Sequence, residues 1–261
     1  MAIITLTTDL GHRDFYQSAV KGAILSKLPD VKIVDISHQI APFDVAQAAY
    51  VTRNACRFFP PGSIHILGVD AHYQERPRYL ALLHEEQYFI GPDNGIFSLL
   101  FDEIPGKIVE IAIPPDPAFV HFPLLDILVK AATHLAGGRL LEELGRSVQD
   151  INQRGFLQPV YEPGLIRGSV IHIDSFQNVI TNITRKLFEE VGKGRPFELF
   201  FSRNESITAI SRHYNEVPEG EKLCLFGISS YLEIAINKGN ASGLLGLSIG
   251  DIIIIQFDEP G

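Results

Sequence analysis

Residues 2–37 carry the pattern that decides the fold of the first half of the chain, AIITLTTDLGHRDFYQSAVKGAILSKLPDVKIVDIS. Within them, Ala2–Thr7 is a run rich in β-branched residues, which is typical of a strand buried on both faces. Asp14 then occupies a helix N-cap position, and apolar residues recur behind it at helical spacing. Val31–Ile36 is strand-like again. The stretch therefore predicts a strand, a helix and a second strand in succession.

This alternation continues beyond the opening stretch. Two further helices are predicted at Asp44–Cys56 and Leu125–Ala136. Further strands are predicted at Ser63–Val69, Tyr79–Leu83, Tyr88–Ile90 and Ile108–Ile111. An alternating order of strands and helices favours a mostly parallel sheet covered by helices. Because ligands bind beyond the carboxyl ends of the strands in such sheets, Asp9, Ser37-His38 and Asp70 are expected to gather along one sheet edge.

The composition of the sequence changes at residues 145–164, GRSVQDINQRGFLQPVYEPG. These residues are polar and rich in proline and glycine, which is typical of a linker. Short strand-like segments follow at Ser169–Ile173, Val179–Ile183, Phe197–Phe201, Leu223–Ile228, Tyr231–Ile236 and Asp251–Phe257. This pattern favours a small all-β domain, barrel-like or sandwich-like. The predicted organisation is an α/β domain at residues 1–158 and a smaller, barrel-like all-β domain at residues 159–261.

Composition excludes several classes of function. The 261 residues carry a formal net charge of −9, which disfavours binding to nucleic acid or to an anionic membrane surface. No apolar stretch approaches the ~20 residues of a membrane helix, and the N-terminus lacks the basic region of a signal peptide. Cys56 and Cys224 lie in apolar runs far apart, as reduced thiols of a cytoplasmic protein do.

Common catalytic and cofactor motifs are absent from the sequence. There is no GxGxxG after the first strand, no Walker A loop, no HExxH and no GxSxG. His12, His38 and His72 are placed to meet at the sheet edge, but no two histidines stand four residues apart on a predicted helix. No metal site and no cofactor are therefore predicted.

Polar and aromatic residues at predicted strand ends suggest a nucleoside site. Asp9 follows a buried strand, where its carboxylate suits a vicinal diol such as that of ribose; the alternative is a turn or helix cap. Phe43 precedes a helix and suits stacking on a sugar or base; the alternative is a hydrophobic staple. Asp174 and Asn178 suit an ammonium group and an adenine edge; the alternative is a turn in which both bond their own backbone.

Several separate motifs share one resemblance. They include TLTTDLGHRDFY, VDISHQIAPFDV, FFPPGSIHILGVD, GPDNGIFS, HIDSFQNVITNI and YNEVPEGE, in this order along the chain. Together they resemble the S-adenosylmethionine hydroxide adenosyltransferases, which form adenosine and are relatives of the fluorinases and chlorinases. The resemblance implies S-adenosyl-L-methionine as substrate, no cofactor, and a homotrimer whose sites lie between the N-terminal domain of one subunit and the C-terminal domain of the next.

The resemblance also implies roles for individual residues. Hydrolysis in this family proceeds by attack of water or hydroxide at the ribose 5′-carbon, which releases adenosine and L-methionine. The implied substrate-binding residues are Asp9 at the ribose diol, Phe43 on the ribose, Asp14 and Asp174 near the methionine moiety, and Asn178 and Tyr214 at the adenine.

The segment after the third strand, GVDAHYQERPR, departs from the family pattern. The family orients its water with an Asp-Arg-His set, and Asp70 stands at the position of the aspartate. Pro77 stands at the arginine position, between Arg76 and Arg78. These two arginines are the candidates for the missing cation.

A second departure lies before the long helix, where Pro123 stands at the position of the catalytic histidine. His121, two residues earlier, and His72 are candidate replacements. A third lies at Gly227–Ser230, where the family contacts the methionine end. Halogenation is disfavoured, because a carboxylate at Asp70 repels a halide and Leu124 stands where the halogenases place a serine.

Three functions remain open. The first is a hydrolase of S-adenosyl-L-methionine with a rearranged polar set, namely Asp70, Arg76 or Arg78, and His121 or His72. The second is a binding protein that keeps the nucleoside pocket without competent catalysis. The third is catalysis on another adenosyl or nucleoside substrate.

Overall fold

The computed structural model describes the chain at residues 2–72, 77–155, 157–202 and 205–259. The chain divides into two compact units, Met1–Phe156 and Leu157–Gly261. Each unit encloses apolar cores of its own. Among the described residues, no helix combines the length and the apolar character that crossing a membrane requires.

The N-terminal unit is built on a seven-stranded sheet. Its strands are β1 (Ile3–Thr8), β2 (Lys32–Ser37), β3 (Ile64–Gly68), β4 (Tyr79–His84), β5 (Gln87–Pro92), β6 (Lys107–Ile111) and β7 (Gly145–Val148). Their order across the sheet is β2-β1-β3-β5-β4-β6-β7. The pairs from β2 to β5 are parallel, and the pairs from β5 to β7 are antiparallel.

The sheet is therefore mixed, and the prediction of a mostly parallel sheet is wrong for its second half. The cause lies in the turn between β4 and β5, where Glu85 and Glu86 have φ angles of 46° and 60°. Two consecutive residues with positive φ make the tight turn that closes an antiparallel hairpin. Part of the predicted linker also differs, because Gly145–Val148 pairs with β6 as an edge strand.

Helices cover both faces of this sheet. They are α1 (Tyr16–Lys27), α2 (Val45–Cys56), α3 (Ile96–Leu100) and α4 (Val129–Ala136), with a π-helical turn at Leu124–Leu128 and a 3₁₀ turn at Leu141–Leu144. Helices α1 and α4 pack into one apolar core and α2 and α3 into another. The result is a three-layer arrangement in which β1 and β3 are buried on both faces.

The two long helices begin differently. Asp44 caps α2, since its Oδ1 accepts a hydrogen bond of 2.9 Å from the backbone N–H of Gln47, which confirms the predicted helix start. The N-cap of α1 is Phe15, with no side-chain cap. The prediction that Asp14 caps this helix is therefore wrong, and its side chain lies exposed one residue before the cap.

The C-terminal unit is built on an antiparallel sheet of eight strands. They are β8 (Val160–Glu162), β9 (Leu165–Ile173), β10 (Val179–Thr184), β11 (Phe197–Ser202), β12 (Glu205–Ile207), β13 (Lys222–Phe226), β14 (Tyr231–Ile236) and β15 (Ile252–Phe257). Seven of them run in the order β12-β11-β15-β9-β10-β14-β13, and β8 pairs with β9. Just after β12, Ile210 forms a bridge to Cys224 on β13, so the sheet curls into a nearly closed barrel.

The predicted barrel-like domain is thus confirmed, with additions. Two short helices, α5 (Arg185–Gly192) and α6 (Ala241–Leu245), interrupt the strands and were not predicted. Both begin at a residue whose side chain accepts a backbone hydrogen bond, Thr184 and Asn240 respectively. Cys224, within this unit, and Cys56 are free thiols.

Candidate active site

Asp9 connects three loops at the carboxyl edge of the parallel strands. Its Oδ2 accepts a hydrogen bond of 3.0 Å from the backbone N–H of Phe43, in the loop before α2. The same oxygen accepts one of 3.2 Å from the backbone N–H of Asp70, just after β3. Because β2, β1 and β3 run parallel, the segments that follow them meet at one edge. The predicted gathering of polar residues at this edge is confirmed.

Both residues held by Asp9 have left-handed backbone conformations, with φ of 66° at Phe43 and 51° at Asp70. This region is uncommon for residues other than glycine and especially so for an aromatic. Strained backbone of this kind concentrates at ligand-binding and catalytic sites. The Phe43 ring is also 65% exposed, so it does not act as the buried staple considered as the alternative.

The side chains of Asp70 and His72 form a pair beside Phe43. His72 Nδ1 lies 3.0 Å from Asp70 Oδ1. The His72 ring meets the Phe43 ring edge to face, with ring centroids 6.1 Å apart. We call Asp9, Phe43, Asp70 and His72 the strand-edge cluster. It places two carboxylates, an imidazole and an exposed aromatic ring together, which suits recognition of a polar ring system.

A buried histidine, His38, contacts the residue that precedes Asp9 in the chain. His38 is 1% exposed, and its Nδ1 lies 2.7 Å from the hydroxyl of Thr8, the residue before Asp9. Its Nε2 lies 3.1 Å from Asp35 Oδ1, and Asp35 Oδ2 accepts a 2.6 Å bond from Lys21. Burial lowers the pKa of His38 below its usual value, although Asp35 opposes this. A neutral imidazole therefore anchors the end of β1.

Arg78 lies in a different cluster. Its guanidinium donates to Asp93 Oδ2 at 2.7 Å and to Glu110 Oε2 at 3.2 Å. It also donates to both carboxylate oxygens and the backbone carbonyl of Asp150. All three guanidinium nitrogens are thus engaged. Burial alone would lower the pKa of Arg78, but these carboxylates raise it above its ordinary value.

Among the described catalytic candidates, neither Arg78 nor His121 forms a hydrogen bond or ion pair with Asp70. Arg76 lies outside the described residues. His121 is exposed on the turn before Pro123 and makes no hydrogen bond or ion pair within the described parts of the chain. Leu124 instead packs on the end of β3, where a Cβ built on Gly68 would lie 2.6 Å from the Leu124 Cδ2. An apolar side chain thus covers the strand that leads to Asp70.

In the C-terminal unit, Asp174 and Asn178 form the turn between β9 and β10. Asp174 Oδ1 accepts from the backbone N–H groups of Phe176 and Asn178, at 2.9 and 2.8 Å. Asp174 Oδ2 accepts a 3.1 Å bond from Asn178 Nδ2. The turn considered as the alternative is therefore present. It also directs the Asn178 amide oxygen away from the carboxylate and holds Phe176 at the tip, 78% exposed.

A cavity of about 540 Å³ adjoins this turn. Its lining comprises Phe176, Asn178, Tyr214, Ile236, Asn237, Lys238 and Gly239. Two aromatic rings and an amide side chain at one concave surface suit a flat heterocycle with polar edges.

Tyr214 is fixed at this cavity by a buried carboxylate. Its hydroxyl donates a 2.6 Å hydrogen bond to Glu233 Oε1 on β14. Burial raises the pKa of Glu233, with a further increase from the charge of Asp174, while the bond from Tyr214 opposes both. Burial and the two carboxylates raise the pKa of Tyr214 as well. The hydroxyl of Tyr214 is therefore fixed by Glu233, while the ring lines the cavity and can contact a ligand.

Family models cover most of the chain. Residues 4–145 match the model for the SAM hydroxide adenosyltransferase N-terminal domain, and residues 168–254 match the model for the C-terminal domain. The chain belongs to the SAM hydroxide adenosyltransferase family.

Several named proteins are similar in sequence to this adenosyltransferase-family chain. It is 30% identical to an (R)-S-adenosyl-L-methionine hydrolase of Thermus thermophilus, over 96% of this chain and 98% of that one. It is 32% identical to a protein of the same name from Methanocaldococcus jannaschii, over 98% and 96%. A fluorinase of an Actinoplanes species is 28% identical over 76% of each chain. A structure from Thermotoga maritima, of an uncharacterized conserved protein, superposes with a TM-score of 0.88 at 30% identity, covering 98% of this chain and 100% of that one.

Sequence patterns do not single out two residues of this family member, namely Phe176, which lines the cavity, and Glu233, which bonds the cavity residue Tyr214. Phe176 is an aromatic at the tip of an otherwise polar turn, DSFQN. Glu233 is the one charged residue in the apolar strand YLEIAI. An exposed aromatic within a polar turn and a lone charge within a buried strand are signals for such residues.

The predicted absence of a metal remains a prediction for this family member. Among the residues that the structure describes, no three His, Cys, Asp or Glu side chains are grouped so as to hold a metal ion. His12 and His38 do approach each other, with ring centroids 5.4 Å apart. His38 already contacts Thr8 and Asp35 through its two nitrogens.

Proposed function

We propose that the protein hydrolyses S-adenosyl-L-methionine to adenosine and L-methionine, by attack of water at the ribose 5′-carbon. The observation that carries the proposal is Asp70 at the carboxyl end of β3, joined through its backbone to Asp9. Two relatives that this chain matches over nearly its full length are named for the same hydrolysis.

The chemistry requires positioning more than acid catalysis. The 5′-carbon of a sulfonium is already electrophilic, and methionine leaves as a neutral thioether. The protein must hold a water in line with the breaking bond and exclude other solvent. Asp70 supplies a carboxylate for that water. The same carboxylate, with apolar Leu124 packed on Gly68, disfavours a halide in its place.

The strand-edge cluster suits the ribose. Asp9 uses Oδ2 for two backbone N–H groups, which leaves Oδ1 to accept the hydroxyls of the diol. Phe43 then packs on the sugar, a role that its exposure and its strained backbone support.

The cavity of the C-terminal unit suits the adenine. Asn178 donates its amide N–H to Asp174, so its oxygen is available to accept from the exocyclic amine of the base. Tyr214 packs on the ring. Asp174, and the exposed Asp14, are proposed at the ammonium end of the methionine.

Among the arginines, Arg76 is the proposed partner of the attacking water. Arg78 is engaged by three acidic residues, which leaves Arg76 as the candidate nearer to Asp70 in sequence. His121 is a further candidate. We also propose a cytoplasmic homotrimer with each site completed by a neighbouring subunit, an arrangement that the exposure of Phe43 and Phe176 supports.

The test is incubation of the purified protein with S-adenosyl-L-methionine, followed by chromatography for adenosine and methionine. Asp70→Asn is the informative variant, because asparagine tolerates the left-handed backbone of this position while removing the charge. We expect adenosine from the wild-type chain and severe loss in the variant. An unaffected rate would remove Asp70 from the mechanism.

A binding protein without competent catalysis is the second candidate. The engagement of Arg78 by Asp93, Glu110 and Asp150 favours it, since this arginine is then not free for the reaction. Calorimetric binding of adenosine with no product above a heat-denatured control would select this function.

A further inference from the structure

We infer that His72 is the general base of the reaction and that Asp70, besides the carboxylate it offers to the water, orients this histidine, as a carboxylate–histidine dyad at the end of β3. The inference rests on the proposed hydrolysis and deepens it. It assigns the proton of the attacking water to a specific atom, His72 Nε2.

The dyad geometry follows from one contact. Asp70 Oδ1 lies 3.0 Å from His72 Nδ1. A carboxylate accepts only, so it favours the tautomer in which Nδ1 carries the proton. Nε2 then has a free lone pair and faces away from Asp70. A histidine whose one nitrogen is held by a carboxylate is the usual arrangement of an imidazole that takes a proton.

The dyad is held at a fixed place relative to the proposed ribose site. Asp9 Oδ2 bonds the backbone N–H groups of both Asp70 and Phe43. The Phe43 ring meets the His72 ring edge to face. One carboxylate therefore links the residue that packs on the sugar to the residue that holds the base. The imidazole is 58% exposed, so water reaches it directly.

The step balances without any further reactant. A lone pair of the water oxygen forms the bond to the 5′-carbon, and the carbon–sulfur bond breaks with its electron pair going to sulfur. Sulfur loses its positive charge and leaves in methionine. The water proton passes to His72 Nε2, and the imidazolium formed beside Asp70 later releases it to solvent.

The first experiment compares three histidine variants by their kcat and KM for S-adenosyl-L-methionine. We expect His72→Ala to lower kcat by about 10²-fold or more, in the range of general base catalysis, with little change in KM. Added imidazole should restore part of the rate, since it replaces the missing side chain.

His84→Gln is the matched control. His84 is the last residue of β4 and pairs with Gln87, the first residue of β5, so it lies at the opposite end of the strands from Asp70. It should retain wild-type kinetics. His121→Ala tests the competing histidine: loss of activity there, with His72→Ala fully active, overturns the inference.

The second experiment measures the dyad without turnover. Imidazole ¹⁵N spectra of the wild-type chain should report the tautomer of His72 protonated at Nδ1, and Asp70→Asn should reduce the population of that tautomer. An unchanged tautomer in Asp70→Asn, or a His72→Ala defect that imidazole does not relieve although adenosine still binds, overturns the inference. A fully active His72→Ala refutes only the general-base role of His72. A wild-type chain that makes no adenosine refutes both the proposed hydrolysis and that role.

Discussion

At the scale of single residues, the Asp9 carboxylate holds two backbone segments that would otherwise be strained. A left-handed conformation costs about 1–2 kcal/mol per non-glycine residue, and Phe43 and Asp70 both adopt it. A hydrogen bond to a charged group contributes about 1.5–3 kcal/mol. Two such bonds to Asp9 are therefore sufficient to offset the strain. The residue that holds these loops is also the one proposed to bind the ribose diol.

Replacing Asp9 separates these two roles. Asp9→Ala should abolish adenosine binding in calorimetry and lower the free energy of unfolding, because both loop N–H groups lose their acceptor. Asp9→Asn keeps an acceptor for the loops and should retain more of the stability while adenosine affinity still falls. Asp30→Asn, in the exposed turn before β2, is the control. Full affinity in Asp9→Ala contradicts the diol role.

Replacing either member of the Tyr214–Glu233 pair should lower stability, but by different amounts. Tyr214→Phe removes the hydroxyl and leaves the buried Glu233 carboxylate without that donor, which should lower the free energy of unfolding by about 1–3 kcal/mol. Glu233→Gln keeps an acceptor and should cost less. Urea unfolding of both variants measures the difference, and equal losses would contradict the assignment of the larger cost to the Glu233 carboxylate left without its donor.

At the scale of elements, β3 carries a buried histidine at the centre of the sheet. His65 Nδ1 lies 2.7 Å from the hydroxyl of Thr5 on β1, and its Nε2 lies 3.2 Å from Gln87 Oε1 on β5. Its ring stacks on Phe89. Burial lowers the pKa of His65 to about 4, although the bond to Gln87 opposes this. Three neighbouring strands thus depend on a neutral imidazole.

This gives a pH dependence of stability with a definite sign. Unfolded His65 binds a proton near pH 6.5 and the folded chain only near pH 4, so the unfolded state binds more protons between these values. The contribution of His65 is therefore complete above pH 6.5 and is lost as pH falls toward 4, by about 3 kcal/mol at 1.36 kcal/mol per pKa unit.

Urea unfolding at pH 7 and pH 4.5 measures this effect in the wild type and in His65→Gln. The variant lacks the titrating group, so its stability should fall less between the two pH values. An equal fall in both proteins contradicts the assignment to His65.

Sequence patterns predict elements better than they predict the connections between them. Tyr231–Ile236 is a strand with the predicted limits, because its short and nearly continuous apolar run is typical of a buried strand. The β4–β5 turn, Glu85-Glu86, lacks the glycine or asparagine that marks such turns, so its antiparallel pairing could not be predicted. At the site, parallel strand ends predict that Asp9 and Asp70 meet. Nothing in the local sequence predicts that Asp70 and Phe43 adopt positive φ, since the carboxylate that accepts from both of their N–H groups, Asp9, is distant in the chain.

At the scale of the whole molecule, a segment without regular structure is tied to the N-terminal sheet. Asp150 accepts from Arg78, and the Asn152 backbone N–H donates a 2.9 Å bond to Asp93 Oδ1. The backbone N–H of Arg154 donates a 2.8 Å bond to the hydroxyl of Ser98. The last residues of the N-terminal unit are therefore fastened by side chains from the sheet and α3.

Arg78→Lys tests this fastening. Lysine keeps the charge but cannot reach three acidic residues at once, and the Asp93 carboxylate is fully buried. We expect the free energy of unfolding to fall by about 2 kcal/mol or more, measured by urea against the exposed control Arg139→Lys. A variant with wild-type stability and no turnover would return Arg78 to the list of catalytic candidates.

The contact between Gly68 and Leu124 constrains how this site changes over evolutionary time. Alanine at position 68 would bring its Cβ to 2.6 Å from the Leu124 Cδ2, well inside ordinary contact, so the buried Leu124 side chain would have to shift to accommodate it. A smaller residue at position 124 removes the obstacle. We therefore expect the two positions to covary among homologous chains, with a smaller residue at position 124 accompanying a larger one at position 68.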